Sequence, residues 1–291
     1  MMYDVKGHLK QVLANLPSSV RLVAISKYHP NEYIEAAYAE GQRIFGESHE
    51  QELRQKHETL PKDIQWHFIG HLQTNKVKYI APYVTMIEAV DSLKLLQEIE
   101  KQAAKNNRVI DVLLELHIAE EETKYGLSDQ ALFELLDGGE WREMKHVRIC
   151  GLMMMASYVD DEQQIRSEFR HAKSLYDDVK ARYFADADYF CERSWGLSHD
   201  DLIAVEEGST MVRIGTTIFG PRVYSAGIVR AACYPSGWHG QDNDDNKPDN
   251  LCTARCEATR AVFLLCRRQG TTSGRDHTGY KRLHLPKISC R

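Results

Sequence analysis

Between residues 21 and 219 the sequence repeats one pattern eight times, a short apolar run followed by a polar or amphipathic stretch. The runs are RLVAIS (21–26), QRIFG (42–46), IQWHFIG (64–70), TMIEAV (85–90), DVLLELHI (111–118), VRICGLM (147–153), a weak one at 188–191, and MVRIG (211–215). They are too short for helices and apolar enough for strands buried on both faces. Helical stretches follow at 31–41, 48–58, 71–80, 92–105, 128–136, 161–182 and 200–207. The clearest is 92–105, where Leu93, Leu96, Ile99 and Ala103 keep a helical period. Parallel strands need such crossovers. Eight units in this length predict a single (β/α)8 barrel, a TIM barrel, although an open doubly wound sheet can be written with the same elements. No G-x-G-x-x-G follows the first run, which argues against a dinucleotide-binding version.

Composition narrows the class. A formal charge of −5 gives no global reason to bind nucleic acid or an anionic membrane. No apolar run is long enough to span a bilayer, and MMYDVKGHLK lacks the apolar core of a signal peptide. Only Cys150 and Cys191 fall before residue 225, as expected in a reducing compartment. The expectation is a soluble, cytoplasmic, monomeric protein with no nucleic-acid or membrane partner.

The chain changes character near residue 225. Residues 1–224 carry 26 Lys and Arg against 36 Asp and Glu, whereas residues 225–291 carry 11 against 6 and hold five of the seven cysteines. Cys252, Cys256 and Cys266 with His277 and His284 lack the paired knuckle spacing of small zinc modules. The scattered arginines do not make a nucleic-acid arm. The reading preferred for 225–291 is a basic, Cys-containing tail, disordered or non-native, beyond a barrel domain at 1–224.

In a barrel the residues just after each strand share one rim, where such folds place their chemistry. Lys27, Glu47, His71, Asp91, Glu120, Met154, Ser194 and Gly215 fall at or near it. Lys27 is either a solvated lysine or one whose amine forms a Schiff base, for which its pKa must drop. Ser194-Trp195-Gly196-Leu197-Ser198 and Arg213-Ile214-Gly215-Thr216 each combine glycine with hydroxyls at a strand end, a composition suited to a phosphate group or to an ordinary turn. His67, inside WHFIGH, reads as a hydrogen-bonded core or rim histidine rather than a metal ligand. Met153 to Met155 read as core filler, and Lys124-Tyr125-Gly126, after three glutamates, as a solvated loop.

VAISKYHP, RIFGESHEQE, WHFIGHLQTNKVK, ETKYG and IAVEEGSTMVRIGTTIFGPRVY, in this order and spacing, resemble the pyridoxal phosphate homeostasis proteins (YggS-type) over residues 5–224. The resemblance implies a single (β/α)8 barrel of the alanine racemase-like, fold type III class, with pyridoxal 5'-phosphate as cofactor. It implies that Lys27 carries the cofactor as an internal aldimine and that Arg213 faces the pyridine nitrogen. Ser194 and Gly196, with Gly215 and Thr216, would cradle the phosphate. The implied role is storage or delivery of pyridoxal phosphate, with cofactor-requiring apoenzymes as recipients, in vitamin B6 and amino-acid homeostasis with little or no catalysis. A cation at the ring nitrogen disfavours ring protonation and weakens the electron sink. The alternatives are an amino-acid racemase on the same cofactor and a cofactor-free Schiff-base lyase using Lys27. Three departures from the family stand out. Trp195 and Leu197 replace methionines behind Arg193, so Trp195 is expected to crowd the rim. Ser48 stands where asparagine is frequent, and 225–291 has no family counterpart.

Overall fold

Eight short parallel strands close into a barrel in the computed structural model, which describes residues 3–118 and 125–221. The strands are β1 (Arg21–Ile25), β2 (Ile44–Glu47), β3 (Gln65–Phe68), β4 (Met86–Val90), β5 (Ile110–Leu116), β6 (Val147–Met154), β7 (Glu192–Ser194) and β8 (Met211–Ile214). Each pairs with the next, and β8 returns to β1 with Arg213 opposite Val23 and Ile214 opposite Ala24. The described helices are α1 (Val5–Asn15), α2 (Asn31–Ala39), α3 (Glu50–Thr59), α4 (Val77–Ile80), α5 (Leu93–Lys105), α6 (Asp129–Gly138), α7 (Glu162–Tyr183), α8 (Asp201–Glu206) and α9 (Thr216–Phe219). The predicted (β/α)8 barrel is therefore the fold.

Side-chain alternation along the strands sorts the buried residues into two layers. Leu22, Ala24, Phe45, Trp66, Ile87, Val112 and Leu114 join the large cluster under the helices. Val23, Ile25, Met86, Leu113, Cys150, Met153 and Met211 form a smaller inner cluster. Helix ends are set where hydroxyl or carboxylate groups take the first free amides. Ser92 accepts from Leu95 N, Ser128 from Ala131 N, and Asp161 from Gln163 N and Gln164 N.

Three elements differ from the sequence-based expectation. α1 buries Val5, Leu9 and Val12 behind an Asp4 cap, a helical spacing within a stretch that shows no strand pattern. The seventh strand lies at Glu192–Ser194 rather than 188–191. Phe190 is instead a buried plug stacked on Phe184, with ring centroids 4.3 Å apart, and its amide closes a turn onto Ala187 O. β7 escapes a hydrophobicity reading because its Ser194 is polar yet fully buried.

The stretch 71–80 is a 3-10 turn, Thr74–Lys76, running into α4 rather than one helix. Among the described residues no helix is long and apolar enough to cross a membrane. None of their His, Cys, Asp and Glu side chains gather in threes fit to hold a metal. The expectations for residues 225–291, Glu120 to Glu122 and Lys124 lie outside the described residues.

Candidate functional site at the barrel mouth

Lys27 follows β1, two positions beyond Ile25 of the inner cluster, and is half-buried. The β1–β8 pairing brings the other end of the site beside it. A side chain added at Gly215 would stand 3.2 Å from Ile25 Cβ and 3.2 Å from Ile25 O, tight enough that β1 would have to give by a few tenths of an ångström, so glycine eases the approach of the β8 turn to β1. Gly215 N–H donates to Ser198 Oγ at 3.2 Å, and Thr216 opens α9 immediately after. A hydroxyl from the loop after β7 and the amide-bearing turn after β8 thus meet next to β1, the strand that leads to Lys27.

Below this turn a polar chain crosses the barrel interior. Arg213 on β8 is 2% exposed and donates from Nη1 to Ser194 O (2.6 Å) and Ser194 Oγ (2.7 Å), and from Nη2 to Met154 O (2.7 Å). Ser194 Oγ donates onward to Glu88 Oε2 at 2.6 Å, and His67 Nδ1–H donates to Glu88 Oε1 at 2.6 Å. Burial alone would push the Glu88 carboxyl up. The hydrogen bond and charge of His67, the Arg213 charge and the Ser194 hydroxyl outweigh it and hold Glu88 below the usual glutamate value. Glu88 is thus a carboxylate 3.9 Å from Arg213 Nη1, and the buried cation has a buried counter-charge. Burial lowers the Arg213 pKa, while Glu88, Asp200 and Glu115 act the other way.

Glu115 on β5 is 3% exposed, and its Oε2 has no hydrogen-bond partner among the described residues. Burial pushes this carboxyl up to about 7, with Asp91 reinforcing the shift and Arg213 opposing it. At the rim, His71 Nδ1 lies 3.1 Å from Asp91 Oδ2, and the His71 ring stacks on Tyr125 at 3.9 Å. The expected solvated loop is thus tied to the rim at Tyr125.

The expected site residues divide on this geometry. Arg213 lies on β8 opposite Val23 of β1, Gly215 and Thr216 follow it past the end of β8, and Lys27 follows β1. The Ser194 hydroxyl lies between Arg213 and Glu88, and Ser198, four residues on, holds its hydroxyl at Gly215 N. Gly196 has a backbone role, with φ at +96°. A side chain there would come within 2.6 Å of Ala204 Cβ on α8. Trp195 does not crowd the rim, because its ring is fully buried in the outer cluster under the helices. His67 is the hydrogen-bonded core histidine expected, and Met153 and Met154 are fully buried filler.

Sequence reasoning missed Glu88 and Glu115 as interior groups. Glu88 is the one charge in the apolar strand β4, and Glu115 stands within the apolar VLLEL of β5, a placement that burial on both faces of a barrel strand turns inward.

Over residues 5–223 the chain matches the family described as the alanine racemase, N-terminal domain. Alanine racemase from Streptomyces coelicolor A3(2) shares this fold, with 15% identity, a TM-score of 0.55, and coverage of 74% of this chain and 57% of that one.

Nearer relatives are more specific. The chain is 41% identical over 205 residues to the pyridoxal phosphate homeostasis protein of Aquifex aeolicus (strain VF5), covering 70% of this chain and 88% of that protein. It is 35% identical over 236 residues to the pyridoxal phosphate homeostasis protein of Homo sapiens, covering 76% and 85%. PipY of Synechococcus elongatus PCC7942, whose structure was solved with PLP bound, is 31% identical with a TM-score of 0.68, covering 74% of this chain and 100% of PipY. The chain belongs to the pyridoxal phosphate homeostasis protein family.

Proposed function

We propose that this chain is a pyridoxal 5'-phosphate-binding protein that holds the cofactor as an aldimine on Lys27. On this reading it acts in intracellular vitamin B6 and amino-acid homeostasis with little or no turnover. Its working form is a monomeric cytoplasmic protein whose recipients are apoenzymes that need the cofactor. The barrel of residues 1–224 carries the activity, and 225–291 takes no part in it.

The observation that carries the reading is the locked cation on β8, the strand that pairs with the one leading to Lys27. Arg213 is fixed by three hydrogen bonds on the strand that pairs with β1. Of its five N–H donors, three are used within the described residues, which leaves two for a ligand in the barrel mouth. The donor set fits the group. An amine suits an aldehyde, a cation suits an unprotonated ring nitrogen, and the Ser198–Gly215–Thr216 turn offers amides and hydroxyls to a phosphate. Glycine at position 215 carries no side chain to hold that phosphate away from the backbone.

Pyridoxal phosphate supplies an aldehyde for an amine and, when its ring nitrogen is protonated, an electron sink. Arg213 is always cationic and disfavours a second positive charge beside it. Carriage is therefore favoured over carbanion chemistry.

The purified protein, supplied with pyridoxal phosphate, should take up a visible absorption band that borohydride fixes onto the Lys27 peptide. Lys27→Ala should lose the band and keep the far-UV circular dichroism of the folded barrel. No band in the wild type sinks the reading, and formation of D-alanine from L-alanine at enzymatic rates would replace it with the racemase.

A further inference from the structure

The turn that presents Lys27 is held from behind by a buried charge cluster that cofactor binding leaves unused. Lys56, on α3, is only 5% exposed. Its ammonium donates to Ser26 O (2.7 Å), Glu47 Oε1 (2.8 Å) and Glu52 Oε1 (2.6 Å). An ammonium has three N–H donors, and each goes to a different element: the end of β1, β2 and α3 itself.

The same acceptors reach the turn directly. Ser26 Oγ donates to Glu47 Oε1 at 2.6 Å, and Tyr28 N–H donates to Glu52 Oε1 at 2.7 Å. Lys27 therefore stands between one residue held at its carbonyl and hydroxyl and another held at its amide.

The backbone between these anchors is not one the chain adopts unaided. Tyr28 has φ +66°, in the left-handed region, where a side chain is disfavoured. Observed strain of this kind persists only where surrounding contacts over-determine it. Glu47 is fully buried and its Oε2 has no partner among the described residues, so the cluster is not optimised for stability alone. Buried ion pairs are in general weak contributors to net stability.

We propose that Lys56 is a positioning residue for Lys27: through Glu47 and Glu52 it fixes the residue 26–28 turn and so the line along which the Lys27 amine approaches a carbonyl ligand. The inference rests on the cofactor reading above. In the step it serves, the lone pair of the Lys27 amine attacks the aldehyde carbon. A C=N bond forms, and the two amine protons leave with the carbonyl oxygen as water.

The test uses the full chain with pyridoxal 5'-phosphate as probe and measures the rate of borohydride-trappable attachment at Lys27. Lys56→Met should slow attachment by at least about tenfold, since misplacement by roughly 1 Å can cost up to ~100-fold. In the cofactor-free protein it should also speed hydrogen exchange at the Tyr28 amide, a readout independent of the ligand. Arg166→Met is the control. It breaks ion pairs from α7 to Glu206 and Glu207, away from this turn, and should leave the attachment rate within about twofold.

If Lys56→Met does not fold, Glu52→Gln serves alone. It keeps an acceptor for Tyr28 N–H, removes the charge facing Lys56, and should slow attachment by about threefold or more. A wild-type rate in the folded Lys56→Met variant, or in Glu52→Gln, overturns the proposal. Equal slowing in Arg166→Met also overturns it, because general loosening would then explain the effect. Absence of attachment in the wild type overturns the cofactor reading itself. Where the wild type attaches normally, the variant rates bear on Lys56 alone.

Discussion

Replacing Glu115 by glutamine should make the cofactor-free barrel more stable at alkaline pH, although it removes a native charge. Glu115 is 3% exposed with Oε2 unpartnered among the described residues, and burial holds its carboxyl up to about 7 against an ordinary 4.5. Between these values the unfolded chain has released the proton while the folded chain keeps it. Folding therefore binds a proton in this window, and stability falls as pH rises. The contribution is fully present below pH 4.5 and is lost by about pH 7.

By the RT ln 10 equivalence per pH unit the whole gap is worth about 3 kcal/mol, of which roughly 2–3 kcal/mol falls between about pH 5 and 8. Glutamine cannot ionise, so its stability should lack that portion of the slope. Urea denaturation of both proteins at the two pH values measures the difference, with the m-value confirming that the same surface unfolds. Glu47, which burial also raises against the pull of Lys56, contributes equally to both proteins and cancels. Parallel pH dependence of the two proteins would refute the placement of Glu115 as a buried, unpaired acid.

Further outcomes follow from the site geometry. Ser198→Ala should weaken pyridoxal phosphate binding by about 1 kcal/mol, roughly fivefold, by equilibrium titration. Arg213→Ala should weaken binding further, and should also cost about 3–5 kcal/mol in urea because Glu88 keeps its buried charge without the cation. Gly196→Ala should cost roughly 2–4 kcal/mol, from left-handed backbone at φ +96° and from contact with Ala204, and unchanged stability would place that turn wrongly. Truncation after Tyr224 should leave cofactor affinity unchanged in the same titration, and a loss would show that 225–291 contributes to the site.

The polar interior shows where sequence reading and packing part company. Six apolar runs, from RLVAIS to VRICGLM, announce their strands because both faces of a barrel strand are buried, and MVRIG announces the last. β7 fails the same reading because its inward Ser194 serves Arg213 and Glu88 instead of filling space. Trp195 is large and near the mouth in sequence, yet the strand's alternation turns it outward beneath the helices. Ser194 and Ser198 are interchangeable as letters in one motif. Only the fold spends the first on Glu88 and the second on Gly215.

Lys56 marks the limit most clearly. Within RQKHE it sits on a polar helix and reads as a solvated lysine, but Glu47 and Ser26 O close over it in space. The sequence by itself determined the eight strand–helix units, the lysine after the first strand and the arginine on the last, because these depend on the period of burial and on the order of strands; closure of the sheet into a barrel belongs to the fold. Tertiary structure alone decided which hydroxyl meets the β8 turn, which carboxyls are ionised and what steadies Lys27. Those outcomes depend on contacts between residues 9 to 106 positions apart, and burial, which no local pattern encodes, sets their energies.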